Sequence, residues 1–338
     1  MWNQPIICSP ETKIYIFSPA GTATGGPEAL HQLGHHLNQL GFNAFMFYYD
    51  TPDSRTLVHD NYKRYNVSYV TRPENKAGNI MILPETYLAP LFRRKYSAIK
   101  KVVWWLSVVN YYLTQKEVDK ESSRSKRSLL KKLFSSPVPT FQLLKDKGVL
   151  SIAHSWYSVV HLRKNGVEPV GQLSDYMNDV FLKDKDGAQA QKEAIIIWNP
   201  KKNDDFLQEI IDQTSQFQWK AISNMSPEEV AGWMNRAKLY LDFGYHPGKE
   251  RMPREACIMR CCMIIGKVGS AAYAEDMPIP EKYRFEKNHD DLPAIIKCIN
   301  DCMVNYDKCI GDFNPYRDAL YGEKEKFIAD IKKLFVKV

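Results

Sequence analysis

At 338 residues, with 44% apolar and 25% charged residues, the chain has the composition of a soluble globular protein and the length for two domains with separate cores. No apolar run reaches the roughly 18 residues that span a bilayer, and the opening MWNQPIICSPETK lacks the charged start and apolar middle of a signal peptide, so a cytoplasmic location is expected. Lys and Arg exceed Asp and Glu by 46 − 39 = 7, which suits an anionic ligand or surface, and the seven cysteines show neither a CxxC pair nor the spacing of a zinc site.

Residues 13–18 read as a buried strand. A turn built from Gly21, Gly25 and Gly26 follows, then a helix with Pro27 in its first position and Leu30, Leu33, Leu37 and Leu40 at helical spacing until Gly41. Residues 43–49 form the next strand, giving a βαβ opening. The glycines do not make G-x-G-x-x-G and only Asp50 lies near the place of a ribose ligand, so a plain NAD-binding domain is weakly supported. Gly25 and Gly26 instead permit close approach of a ligand or of another domain.

Further strands are expected at 62–70, 79–83 and 100–109. The second ends in Pro84-Glu85, which puts Glu85 on the ligand side of a sheet, as a hydroxyl ligand or base, or else as the cap of the next helix. Trp104 and Trp105 send their rings to opposite faces if that run is extended. Residues 113–140 read as a basic insertion, with seven cations between Lys116 and Lys132 and then Leu133 and Phe134. It is either a solvated loop or a short cationic helix facing an anionic membrane or a lipid-linked acceptor. Strand 149–153 and helix 156–164 complete the first sheet. Asp175 then falls at the mouth of an interdomain cleft, before the polar linker 183–191.

In the second half, strand 194–198 runs into Asn199-Pro200-Lys201-Lys202, two lysines at a strand-to-helix turn, which suits a phosphate. Ser226 and Glu229 form a capping box opening a helix to Ala237. The densest signal is residues 237–270. A strand ends at Asp242, and a loop with Gly244, His246, Pro247 and Gly248 carries Lys249, Arg251 and Arg254. Pro253 is read as the first residue of a helix over 254–261, whose free N–H groups and positive dipole end face that loop, and strand 262–266 closes the unit. This is the pattern of an anion cradle, set against the plainer reading of a solvated basic loop. Residues 324–338 read as a final helix with an apolar face that needs a partner.

Two Rossmann-like halves with a glycine-rich first turn and cationic loops in the second resemble the GT-B glycosyltransferases. Arg254-Glu255-Ala256 followed by CIMRCCMIIG is similar to the donor segment of their retaining members, which implies that Glu255 holds the nucleotide ribose; Pro247 and Gly248 stand where an earlier glutamate of that signature would be. A closer resemblance is to bacterial and viral surface-glycan transferases. It is carried by Pro84-Glu85, Trp104-Trp105-Leu106-Ser107, Leu173-Ser174-Asp175-Tyr176, Asn199-Pro200-Lys201-Lys202 and the donor loop Asp242-Phe243-Gly244-Tyr245-His246-Pro247-Gly248. The His246-Pro247 pair also resembles the His-Pro motif of sialyl- and Kdo-transferases, whose histidine meets the phosphate of a CMP-sugar.

The resemblance implies an α/β, GT-B-like fold of two Rossmann-like domains facing across a cleft. Residues 1–170 would form the acceptor domain, 171–315 the nucleotide-sugar domain and 316–338 a helix packing across the junction. Donor phosphates would meet Lys201, Lys202, His246, Lys249, Arg251 and Arg254. Glu85, Asp175 or Asp242 would serve as base, nucleophile or hydroxyl ligand, and Gly25, Gly26 and Tyr176 would line the acceptor side or the cleft. No metal or cofactor is expected beyond the nucleotide-sugar, a UDP- or GDP-sugar before a CMP-sugar, and the acceptor would be a glycan or a lipid-linked sugar of surface polysaccharide synthesis. Two other classes remain open. One is a non-catalytic anion- or nucleic-acid-binding protein, against which the cations are not interleaved with aromatic residues; the other is a sugar-phosphate epimerase or phosphorylase.

Overall fold

The computed structural model describes residues 4–51, 57–114, 116, 140–182 and 191–338. Most of the expected basic insertion, and most of the linker after residue 182, lie outside these residues. The chain divides into two compact units, Met1–Asp175 with Lys326–Val338, and Tyr176–Glu325. The sequence places the first boundary at 170/171.

The first unit begins with the short strand β1 (Ile6–Cys8), followed by β2 (Lys13–Pro19), β3 (Asn43–Tyr49), β4 (Ile80–Pro84), β5 (Lys100–Trp105), β6 (Leu150–Ala153) and β7 (Gly171–Gln172). Strands β2 to β7 form one parallel sheet in the order β3-β2-β4-β5-β6-β7. Central strands of such a sheet are covered on both faces, which is why IMILP of β4 is apolar and buried throughout. Trp104 and Trp105 are both fully buried. Their indole N–H groups donate to Leu173 O at 3.0 Å and to Ser151 Oγ at 3.2 Å, so neither polar tip is left without a partner.

Three expectations for this unit are corrected. The helix after β2 spans Gly25–Gln39, so Gly25 and Gly26 belong to its first turn and Pro27 is its third residue. The run 62–70 is no strand: Asp60–Tyr65 is a 3-10 turn and Tyr69 makes a single bridge to Met46. Tyr62 and Tyr65 recur three apart because they bury against the Gly25–Gln39 helix, where Tyr62 OH donates to Thr24 O at 2.8 Å and Tyr65 OH to Glu28 at 2.9 Å. Strand β5 stops at Trp105, after which residues 108–114 are helical, with Ser107 Oγ accepting from Asn110 N at 3.1 Å.

The second unit holds β8 (Glu193–Trp198), β9 (Gln218–Ala221), β10 (Ala237–Asp242), β11 (Cys262–Gly266) and β12 (Arg284–Phe285), a parallel sheet in the order β12-β11-β10-β8-β9. The Ser226 capping box opens the helix Pro227–Arg236 with both reciprocal bonds in place. The helix after β10 runs over Arg251–Ile258, three residues earlier than the sequence predicts, so Arg251 is its first residue and Pro253 its third. Among the described residues no helix is long and apolar enough to cross a membrane.

The expected terminal helix is two elements. The helix Glu323–Leu334 is followed by β13 (Phe335–Lys337), which pairs in parallel with β1. The apolar face of that helix does find partners, since Phe327, Ile331 and Leu334 are all buried. Leu334 fills the space at Gly171, where an added Cβ would lie 2.3 Å from its Cδ2.

Candidate functional site

In doubly wound sheets ligands sit beyond the carboxyl ends of the strands, and in the second unit two loops meet there. After β8, Asn199 Oδ1 accepts from Lys201 N at 3.0 Å and shapes a tight turn that aims Lys202 at the end of β10. Lys202 Nζ donates to Asp242 Oδ2 at 2.9 Å and to Glu250 Oε2 at 3.4 Å. The close passage requires a glycine, because a Cβ on Gly244 would lie 2.4 Å from the Lys202 side chain.

Asp242 is the hub of this junction. Its Oδ2 also accepts from Tyr240 OH at 2.8 Å, and its Oδ1 from Gly244 N at 2.9 Å. Burial works against the ionised carboxylate, but His246 and Lys202 beside it outweigh burial and hold its pKa well below the usual carboxylate range. His246 is fully buried, with Nε2 3.3 Å from Asp242 Oδ2 yet off the line of a hydrogen bond. Its backbone is held by the turn that follows β11: Ser270 N donates to His246 O at 2.9 Å and Ser270 Oγ to Gly248 O at 2.6 Å. Gly269, at φ +65°, is needed for that contact, since a Cβ there would sit 2.1 Å from His246 O.

The remaining predicted cations do not all face outward. Lys249 Nζ donates to Glu323 Oε1 at 2.7 Å and Arg254 Nη1 to Glu323 Oε2 at 2.9 Å, while Arg254 Nε donates to Glu250 O at 3.1 Å. Arg254 is fully buried. From sequence, Lys202, Lys249 and Arg254 are expected to face a ligand; the structure gives them the resident carboxylates Asp242, Glu250 and Glu323. Lys201 is exposed, and Arg251 and Glu255 are half-buried on the Arg251–Ile258 helix.

In the first unit, Glu85 and Asp175 stand at the carboxyl edge of the sheet but in different settings. Glu85 Oε2 accepts from Leu106 N at 2.9 Å. Burial pushes its pKa up to about 8, against the opposing pull of the N–H groups it accepts from. Asp175 pairs with His154, at the end of β6, with Oδ1 3.3 Å from His154 Nε2. The Asp175 N–H donates to that same Nε2 at 3.2 Å, so both the backbone and the carboxylate of Asp175 converge on one ring nitrogen. His154 Nδ1 is buried and has no hydrogen-bond partner. A Cβ added at Gly26 would meet Leu106 Cδ1 at 3.5 Å, an ordinary contact, and Tyr176 is buried in the second unit under Lys324.

His154, Tyr240, Glu250, Ser270 and Glu323 belong to these clusters and were missed from sequence. His154 closes a strand just as Glu85 does, a usable signal; Glu323 lies 74 residues from Lys249 and has none. Among the described residues, no group of three or more His, Cys, Asp or Glu side chains is placed to hold a metal ion.

No family model matches the chain, and no curated protein matches it in sequence. Its fold matches a glycosyltransferase from Rickettsia africae at 14% identity over 96% of this chain and 98% of that one, with a TM-score of 0.60. Anabaena HepE in complex with UDP-glucose matches at 10% identity over 95% and 98%, with a TM-score of 0.59. Sucrose-phosphate synthase from Thermosynechococcus elongatus matches at 13% identity over 96% and 98%, with a TM-score of 0.58. The two parallel Rossmann-like sheets are those of the GT-B fold.

Proposed function

We propose that this chain transfers a sugar from a nucleotide-sugar donor to a glycan or lipid-linked acceptor. The observation that carries the reading is the meeting of Lys202, Asp242 and Glu250 at the carboxyl edge of the second sheet, on a fold shared with a protein solved with UDP-glucose. Lys202 keeps 16% of its side chain exposed and Lys201 lies beside it in solvent, so both can meet a donor phosphate. His246, Lys249, Arg251 and Arg254 add positive charge or hold the loop, and Glu255 takes ribose hydroxyls. Cations fixed before the reaction stabilise charge developing on a leaving phosphate, and in this reading they do so without a metal.

Asp242 is an organising residue, because both of its oxygens are already engaged by the protein. Of the two carboxylates in the first unit, Asp175 with His154 is the better candidate to orient or deprotonate an acceptor hydroxyl. Burial pushes the pKa of Glu85 up to about 8, so at neutral pH it is mostly in the protonated form, which donates rather than accepts a proton. The donor is a UDP- or GDP-sugar before a CMP-sugar, and the acceptor belongs to surface glycan synthesis at the cytoplasmic side of a membrane that the protein touches only peripherally.

The test is nucleotide release from a panel of UDP-, GDP- and CMP-sugars, with and without glycan acceptors, by wild type and Lys202→Ala. Release by the wild type that falls in the variant supports the reading. No release from any donor rejects it.

A further inference from the structure

The carboxyl edge of the first sheet carries an aromatic pair that the donor machinery does not use. Strand β3 ends at Tyr49. The turn after β4, closed by Tyr87 N donating to Pro84 O at 3.0 Å, brings Tyr87 back across the end of β2. The two rings lie 3.7 Å apart and 3° from parallel, and Phe17 of β2 lies 6.4 Å from Tyr87. Tyr49 is only 8% exposed, whereas Tyr87 keeps part of its surface in solvent. Tyr49 is thus the fixed floor and Tyr87 the ring with an accessible side.

The polar groups around the pair are chemically mixed. Thr86 holds the Tyr49 hydroxyl, Arg93 stands beside the Tyr87 hydroxyl, and the Asp50 carboxylate acts on both rings' hydroxyls. Asp50 and Arg93 are exposed. Asp50 also has φ +52°, a left-handed conformation that aspartate adopts more readily than most non-glycine residues and that turns the chain sharply at the end of β3. A flat, pre-ordered ring suits the C–H face of a sugar, and an adjacent carboxylate and guanidinium suit its hydroxyls. A purely apolar ligand would leave both charges unused, and a phosphate would be repelled by Asp50.

We infer that Tyr87, backed by Tyr49, stacks against a pyranose ring of the acceptor while Asp50 and Arg93 bind its hydroxyls, an assignment that rests on the transferase reading. It makes the acceptor a glycan at the point of contact.

Saturation-transfer NMR with methyl glycosides of glucose, galactose and mannose tests this, with glycerol 1-phosphate as the non-pyranose control and UDP affinity measured on the same samples. At least one glycoside is expected to bind the wild type through its ring C–H protons. Tyr87→Ala and Asp50→Asn each weaken that binding by about tenfold, one decade of affinity, Tyr87→Phe retains it, and UDP affinity stays constant throughout. Asp50→Asn leaves both rings in place, so it reads the site even if Tyr87→Ala folds poorly. Absence of glycoside binding to the wild type, or binding by Tyr87→Ala and Asp50→Asn as tight as that of the wild type, overturns the inference. Tyr87-dependent sugar binding in a protein that takes no nucleotide would reject the transferase reading and keep the platform; nucleotide turnover with Tyr87-independent sugar binding does the reverse.

Discussion

Lys202 Nζ lies 2.9 Å from Asp242 Oδ2, tying the turn after β8 to the end of β10 across 40 residues of sequence. The pair does two things at once. It fixes the loop that follows Asp242, and it leaves Lys202 with two of its three protons directed at carboxylates and the third available to a ligand.

Lys202→Ala is therefore expected to weaken UDP binding by roughly ten- to a hundredfold, the loss of one charge-assisted contact of about 1.5–3 kcal/mol. The same variant melts earlier than the wild type, because Asp242, 1% exposed, keeps its charge with less to balance it. Titration calorimetry at a temperature where both proteins are folded separates the two effects. An unchanged UDP affinity would remove Lys202 from the donor site.

The Arg254–Glu323 pair leads to a different expectation. From sequence alone, Arg254→Ala should lose nucleotide and keep its fold. The structure buries the guanidinium against Glu323 and the backbone of Glu250, so the substitution takes one of two cations from a carboxylate that is 7% exposed, leaves it Lys249, and costs on the order of 1.5–3 kcal/mol. Glu323→Gln should destabilise comparably, and the double variant Arg254→Ala with Glu323→Gln should lose less than the two single losses added together. Denaturant unfolding of the four proteins gives the coupling directly. Additive single-variant losses would mean that the two residues act independently.

How much of this was legible depends on how far each interaction reaches along the chain. Parallel strands announce themselves: CMIIG of β11 is buried at every position, and the sequence places it correctly at 262–266. The capping box at Ser226 and the junction residues Lys202 and Asp242 were likewise local signals. Tyr62, Tyr65 and Tyr69 misled, since a row of aromatic residues suits both a strand and a turn packed on a helix, and only the Gly25–Gln39 helix decides between them. β13 was invisible because Phe335 continues the apolar face of the preceding helix, and its partner β1 lies at the other end of the chain. The cations were found but their partners were not, for nothing near Arg254 points to residue 323.

Glu85 offers a test in pH. Its folded pKa of about 8 lies above the value of about 4.3 for a free glutamate, so the folded state holds a proton that the unfolded state has released. Its contribution is therefore fully present below about pH 4 and is lost as pH rises through 8. Gln cannot ionise and keeps the oxygen that accepts from Leu106 N. Relative to wild type, Glu85→Gln should gain melting temperature steadily between pH 5 and 8. A constant difference across that range would show that Glu85 is not protonated in the folded protein.

The nucleotide itself is decided by how the remaining positive charge is spread. Glu323 already occupies Lys249 and Arg254, which lowers the count of cations that a donor could recruit. Further positive charge lies at two places on the same sheet edge: Lys201 and Lys202 after β8, and the positive dipole end of the Arg251–Ile258 helix after β10. A monophosphate can use one of these places; a diphosphate has the reach for both. UDP and GDP should accordingly raise the melting temperature more than CMP at equal concentration. A ligand at a hundred times its dissociation constant adds about 2.7 kcal/mol to the state it binds, or roughly 5–10 °C for a unit of this size. Lys201→Ala should reduce the UDP and GDP shifts while leaving the unliganded melt unchanged, since its side chain is exposed. A shift with CMP alone would transfer the site to a CMP-sugar and make His246, rather than the paired lysines, the residue to pursue.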